Sequence, residues 1–318
     1  MAYLDESQRQ RARARNILQS VVLVGGIGLI AALSAYLLFG REGIVWPVIA
    51  VGVFALAGPR LAPDAVMRMF KASPLDPIRG AGIYDIVQAL AGRAGLPAVP
   101  RIYLIQSATL NAFAIGTPAR CVIGITSGLL YRLDQREVAA VLAHEMTHVR
   151  NNDIWVMSLA DVLSRLTRTM SFFALFLFFI GVPASMMTGR PVPWAAIGLL
   201  YFAPLLSNLL QLALSRSREY DADLGGATLT GDPQALASAL TKLERYQGSF
   251  WENFMWPARR IPLPSVLRRH PETARRIARL MQLSKPATPP LSFPETQGSW
   301  GFAASPQRPR FRRSGFWF

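Results

Sequence analysis

The chain divides first by where its charges stop. Residues 17–39 form an uncharged apolar run of 23 residues, about 34 Å long as a helix and so long enough to cross a hydrocarbon layer of about 30 Å. Residues 44–57 form a shorter run containing Pro47, separated from the first by Arg41, Glu42 and Gly43. Alone it would pass for a buried soluble helix, but so short a link makes a transmembrane hairpin the economical reading. Two further uncharged runs, residues 170–188 and 192–214, are joined through Gly189, Arg190 and Pro191. A single charge at the bilayer centre costs about 2.5–3.5 kcal/mol, so the absence of charge carries information, and the pattern predicts four spans. Pro183 and Pro204 are placed to kink the second pair, as membrane helices tolerate. A cleaved signal peptide competes for the first run, since basic residues precede it. The run is longer than the usual signal core, and a second follows at once.

Between the two hairpins, residues 59–168 are punctuated by Pro and Gly and carry charges throughout. The pattern predicts a helix over residues 85–95, ending at Gly95, Leu96 and Pro97. It predicts strands over residues 101–105, 112–115 and 121–126, the last two joined as a hairpin through Gly116, Thr117 and Pro118. Asp134 followed by Glu137 is a capping-box signature, and the helix it starts meets no Gly or Pro until past Asp153. After residue 283 the chain turns Ser/Pro/Gly-rich and then Arg/aromatic-rich, which predicts disorder. The basic aromatic end reads either as an adhesion to anionic lipid or as an unselected tail. The expected layout is a basic amino-terminal segment (1–16), a hairpin (17–58), the first part of a catalytic domain (59–168), a second hairpin (169–214), the second part of that domain (215–283) and the tail (284–318).

Composition agrees with membrane residence: 51% of the 318 residues are hydrophobic and mean hydropathy is +0.26. The formal charge of +15 raises the question of nucleic acid. Its clusters answer it: Arg9, Arg11, Arg13 and Arg15 abut an apolar run, and Arg308, Arg310, Arg312 and Arg313 lie in the Pro-rich tail, so neither is a folded nucleic-acid surface. Arg and Lys crowd the amino terminus and residues 59–168 and 216–285, whereas each interhelical turn holds one arginine. That asymmetry predicts a multi-pass protein of a bacterial-type inner membrane, with both termini and all soluble parts in the cytoplasm. Cys121 is the only cysteine, so no intrachain disulfide exists, and it reads as a small packed residue.

The candidate chemistry lies in the stretch LAHEMTH. His144 and His148, at i and i+4 on one helix face, can hold one metal through their imidazoles, and Glu145 is one step round to meet a water at that metal. Zinc needs a third protein ligand and a fourth position left for water or substrate. His270 is the one remaining histidine. Glu219, in SRSREYDAD, is the better candidate, because it follows the fourth run as the histidine helix precedes the third, and the hairpin between them returns the chain to the same membrane face. Asp223, one turn on, is placed to take a hydrogen bond from a ligand imidazole. A juxtamembrane collar of charges is the competing reading of this segment.

HEMTHVRNND and SRSREYDAD resemble the two signatures of the HtpX-type membrane zinc metallopeptidases, whose relatives include the CAAX prenyl proteases. The resemblance extends to NAFAIG from Asn111, to GLL from Gly128, and to His270-Pro271 with Arg276-Ile277. It spans roughly residues 74–283. It implies a mainly α fold with a small β-sheet (α+β), in which four transmembrane helices carry a cytoplasmic zincin-like (gluzincin) catalytic domain. It further implies one zinc ion per chain held by His144, His148 and Glu219, with Glu145 as general base and then proton donor. Asn151 and Asp153 match positions with a supporting role, against a plain helix-surface reading for each. Asn111, Ala112, Phe113 and Ala114 would form the edge strand along which a substrate backbone lies, which is compatible with Phe113 as a core aromatic. His270 matches a histidine that stabilises an oxyanion, or else it starts a helix with Pro271. Glu272 stands where the family usually has a second proline.

The implied function is hydrolysis of peptide bonds in misfolded or damaged membrane proteins, so the expected partners are unfolded or membrane polypeptides and the lipid bilayer. A dedicated processing protease of the prenyl-protein type is the alternative within the enzyme class, disfavoured by the compact four-span layout. A silent membrane scaffold or chaperone is the alternative outside it, opposed by the retention of His144, Glu145, His148 and Glu219 together. A soluble metalloprotein would need all four charge-free runs to be core helices.

Overall fold

The apolar runs fold as helices, and two of them continue without interruption into the polar part of the chain. A computed structural model describes residues 6–57, 63–78, 80–189, 194–252, 273–283 and 289–291. In chain order the elements are α1 (Glu6–Phe39), a 3₁₀ turn (Gly40–Ile44), α2 (Val45–Ala57), α3 (Pro63–Met69), β1 (Ser73–Pro74), α4 (Ala81–Ala94), β2 (Arg101–Ile105), β3 (Ala112–Thr117) and β4 (Arg120–Thr126), followed by α5 (Ser127–Arg132), α6 (Gln135–Arg150), α7 (Asp153–Thr188), α8 (Trp194–Thr230), α9 (Pro233–Glu252) and α10 (Thr273–Gln282). The fold is mainly helical with one small mixed sheet. Two stretches of the described residues, Ile17–Phe54 and Trp194–Thr230, are long and apolar enough to cross a membrane. The third run predicted to span, residues 170–188, is the second half of α7.

The sheet runs in the order β1-β2-β4-β3, with β2 and β4 parallel and the other pairs antiparallel. β3 therefore forms an edge. Successive side chains of a strand point to opposite faces, and β3 uses both: Ala112 and Ala114 join a core with Ile83, Leu90, Val138 and Leu142 of α4 and α6, while Phe113 packs with Met67, Ile105 and Val122 on the other side. Cys121 is buried in β4. Burial, reinforced by the nearby Glu145 charge, pushes its thiol up to about 12.

The strands match the expected ones to within two residues, and their hairpin turns at Pro118 and Ala119, with Thr117 opposite Arg120. The capping box forms as its spacing requires: Asp134 Oδ1 accepts from the Glu137 N–H, and Glu137 Oε2 accepts from the Asp134 N–H, each at 2.9 Å. Three expectations fail. The helix begun at Asp134 stops at Arg150 instead of running past Asp153, because Asn152 adopts the left-handed conformation (φ 57°, ψ 26°), which asparagine tolerates better than most residues. The helix predicted from residue 85 starts four residues earlier, at Ala81. Part of the predicted disordered tail is docked: the Leu291 N–H donates to the Thr230 carbonyl at 3.0 Å, Arg93 donates to the Pro289 carbonyl at 3.1 Å, and Leu291 packs on the main core. The rest of the tail and residues 1–5 lie outside the described residues.

α6 and α8 cross with their backbones in near contact. A Cβ on Gly226 would stand 3.0 Å from the His144 nitrogen, and one on Gly225 would stand 2.3 Å from Thr147 Cγ2. Thr147 is fully buried and bonded to the Ala143 carbonyl, so it cannot swing aside. Gly225→Ala is therefore expected to lower stability by a net of up to about 2 kcal/mol, overpacking of about 1–3 being offset in part by the roughly 1 kcal/mol that alanine gains in a helix. Thermal unfolding in detergent checks this: Thr147→Ala in the same chain should recover most of the loss, and additive losses would contradict the contact.

Candidate metal centre

Three elements deliver the candidate donors. α6 presents His144 and His148 on one face, their Nε2 atoms 3.2 Å apart. α8, brought close by its glycine pair, sets Glu219 between them, with Oε2 3.6 Å from His144 Nε2 and Oε1 3.8 Å from His148 Nε2. All three residues are buried, and one donor atom from each lies within 4.8 Å of the others. Tetrahedral zinc with bonds of roughly 2.0–2.1 Å separates its ligand atoms by about 3.3 Å, close to what these donors show.

The other imidazole nitrogens face carboxylates. His148 Nδ1 is 2.9 Å from Asp153 Oδ2. His144 Nδ1 is 3.1 Å from Asp223 Oδ1, in contact but off the line of a full hydrogen bond. Such partners fix the tautomer and leave each Nε2 lone pair free for a metal. Each carboxylate is in turn held by an arginine. Arg218 donates to Asp153 at 2.8 Å, while Arg276 donates to Asp223 at 2.7 and 2.6 Å and stands 3.0 Å from Glu219. The breaking of the helix at Asn152 is what places Asp153 beside His148, five residues back.

Formal charges show what the cluster lacks. Among the described residues Glu145, Glu219, Asp153 and Asp223 supply four negative charges and Arg218 and Arg276 two positive ones, a difference of two that a divalent cation would meet. The protonation of the metal-free rings shows the same deficit. Burial alone would pull His144 down, yet Asp223 and Glu219 raise it to about 10, and His148 is raised likewise by Asp153 against its own burial. The donor set, its backing and its charge all fit a zinc-type ion.

Glu145 points the other way, toward the sheet. Its Oε2 accepts from the Ala114 N–H at 3.3 Å. In the antiparallel ladder the backbones of Asn111 and Phe113 face β4, so those of Ala112 and Ala114 face outward at the open edge. The glutamate thus stands between the metal donors and a strand that, among the described residues, is at the edge of the sheet. The description Peptidase family M48 matches residues 77–284, which is more than half of the chain and spans every residue of this cluster.

The chain belongs to peptidase family M48. It is 35% identical over 284 residues to the "Protease HtpX homolog" of Ralstonia pickettii (strain 12J), a match covering 85% of this chain and 97% of that protein. It is 35% identical over 289 residues to the "Protease HtpX homolog" of Ralstonia nicotianae, covering 86% and 99%. Among solved structures, the crystal structure of S. mikatae Ste24p aligns with a TM-score of 0.48 at 22% identity, covering 85% of this chain and 66% of that one. The protein is an M48 metalloprotease.

Of the residues singled out in the sequence, the structure brings together His144, Glu145, His148, Asp153, Glu219 and Asp223, with Ala112 and Ala114 at the adjoining edge. Asn111 flanks β3, bonded to Thr126 through both its N–H and its carbonyl. Asn151 does not join the cluster: it closes α6, its N–H donating to the Thr147 carbonyl at 3.0 Å. His270 lies outside the described residues. Arg218 and Arg276 lie in stretches that carry the resemblance, but their role behind the carboxylates was missed, although Arg276 had a signal. Arg276 occupies the apolar stripe of α10, next to Ile277 and four residues before Leu280, where a charge has no solvent.

Removing a carboxylate behind a ligand imidazole typically lowers metal affinity about 10–100-fold. Asp153→Ala and Asp223→Ala should each do so in a chelator-competition titration, whereas Asn151→Ala should leave affinity unchanged.

Proposed function

We propose that this M48 enzyme is an HtpX-type zinc endopeptidase of a bacterial-type inner membrane, with four spans, the domain boundaries read from its sequence, and its site and both termini in the cytoplasm. It would take one zinc ion per chain through His144, His148 and Glu219 and cleave misfolded or damaged membrane proteins. The observation that carries this reading is the meeting of those three donors beside Glu145 and the open edge of β3. The charge pattern of the loops supports the orientation, and the exposed apolar surface of α1, α2 and α8 supports residence in lipid.

An extended polypeptide would add to the sheet at Ala112 and Ala114 through their outward backbone groups, taking over the Ala114 N–H from Glu145 as it docks, and these bonds form without reading side chains. That mode suits unfolded substrates of varied sequence. Phe113, with its ring in the core beneath, keeps the edge rigid. The chemistry zinc supplies when bound is polarisation of a carbonyl and a lowered pKa of water, toward about 7. Glu145 takes a proton from the attacking water and returns it to the leaving amine, so no covalent enzyme intermediate arises. Asp153 and Asp223 hold the two imidazoles in register throughout. His270 keeps its two readings, oxyanion donor or helix start with Pro271.

Glu145→Ala should keep zinc and lose about 10²–10⁴-fold in cleavage of an unfolded substrate, while Glu219→Ala should lose both zinc and cleavage. Full activity in the first ends the mechanism, and normal zinc affinity in the second moves the third ligand elsewhere. Four spans place Arg190 across the membrane from the site, so a reporter active only after export should be active when fused there. An inactive fusion would leave the second hairpin on the cytoplasmic side.

A further inference from the structure

Behind His148 the contacts do not end at the carboxylate. Asp153 spends its oxygens in two directions: Oδ2 is 2.9 Å from His148 Nδ1, and Oδ1 accepts from Arg218 Nη1 at 2.8 Å. The other terminal nitrogen of Arg218 donates to Ser20 Oγ on α1. All four side chains are buried. One residue away, the Ser217 hydroxyl is 3.4 Å from Gln19 Oε1, a second tie between the same two helices. α1 also lies against α8 further on, where Gly26 leaves room for Leu210 and Ile27 packs with Leu214.

A buried guanidinium has a planar fork of donors whose geometry is fixed by whatever accepts from it. Here one prong goes to the carboxylate that orients a metal donor and another to the first apolar helix. Losing the serine acceptor would remove one of the contacts that fix the fork, and the fork could then turn at the expense of its bond to Asp153. Arg218 also immediately precedes Glu219, so its setting fixes how α8 is rotated at the ligand.

We propose that α1 braces the metal centre through the relay from Ser20 to Arg218 to Asp153 to His148, which makes Ser20 and Arg218 positioning residues for the metal. The first membrane helix is then part of the site's support and not only its anchor. The inference rests on the reading of His144, His148 and Glu219 as the metal ligands.

The test uses the full chain in lipid nanodiscs, with zinc affinity measured by chelator competition and the melting temperature of the metal-free protein read on the same samples. Ser20→Ala should weaken zinc binding about tenfold, the low end of the range for direct partners of ligand imidazoles, with little change in metal-free melting. Ser20→Thr keeps the hydroxyl and should keep wild-type affinity. Ser34→Ala, at another buried serine of α1 fourteen positions on, should change nothing. Arg218→Lys, which keeps the charge and loses the fork, should fall with Ser20→Ala, and it decides the matter if that variant does not fold. Wild-type affinity in both Ser20→Ala and Arg218→Lys overturns the proposal. So do equal losses in Ser20→Ala and Ser34→Ala, or a zinc loss that only follows a lower metal-free melting temperature. His148→Ala with undiminished zinc affinity would instead sink the metal-site reading itself.

Discussion

The close crossing of α6 and α8 is the contact on which the site depends. Two helices carrying ordinary side chains stay 8–10 Å apart, too far for a short carboxylate on one to share a cation with two imidazoles on the other. Gly225 and Gly226 remove that spacing where His144 and Thr147 pass. Two turns back along α8, Glu219 then lies beside the histidines, and one turn back Asp223 lies behind His144. A single geometric concession therefore sets both a ligand and its neighbour's support. The cost is small, since a glycine pair within a 37-residue helix is held in place by packing on both sides.

The second constraint is charge. A buried carboxylate without a partner is strongly disfavoured, and this cluster buries three: Asp153, Glu219 and Asp223. Among the described residues Arg218 and Arg276 offset two of those charges, and in the metal-free protein the protonated imidazole of His144 answers the remainder that a cation would otherwise meet. The same imbalance that raises His144 in the metal-free protein becomes favourable attraction once a dication sits on the Nε2 side. Were the arginines absent, the pocket would hold protons instead. Were further cations present, it would repel the metal.

What could be read from the sequence follows from how local each feature is. The histidine pair is an i, i+4 relation, the capping box an i, i+3 relation and the hairpin a short-range one, so each survives without knowledge of the fold. Glu219 was legible because two apolar runs joined by a short link bring the chain back toward its starting point, α7 and α8 lying against each other. Asn152 was not, because Asn-Asn-Asp fits a helix as well as it fits a break, and only the pull of Asp153 toward His148 and Arg218 selects the break. The role of the two arginines was hidden for a related reason: an arginine reads as solvated until the carboxylates that bury it are located, 65 residues away for Arg218 and 53 for Arg276. β1 has two residues, and its pairing opposite Leu104 and Tyr103 is all that makes it a strand.

Helix length explains why the site and the apolar runs form one mechanical unit. At 1.5 Å per residue the 36 residues of α7 and the 37 of α8 extend about 54–56 Å. Asp153 begins α7, and Glu219 and Asp223 lie near the end of α8. A loop between the apolar part of each helix and these residues would have let Glu219 and Asp223 drift relative to the histidines. Continuous helices instead transmit the packing of α1, α7 and α8 around Ile27, Leu163 and Leu214 directly to the donor atoms. The order of elements in the chain then has a physical reason: the histidines with Glu145 and Asp153 come before the apolar pair, Glu219 and Asp223 come after it, and a rigid pair of rods keeps them in register.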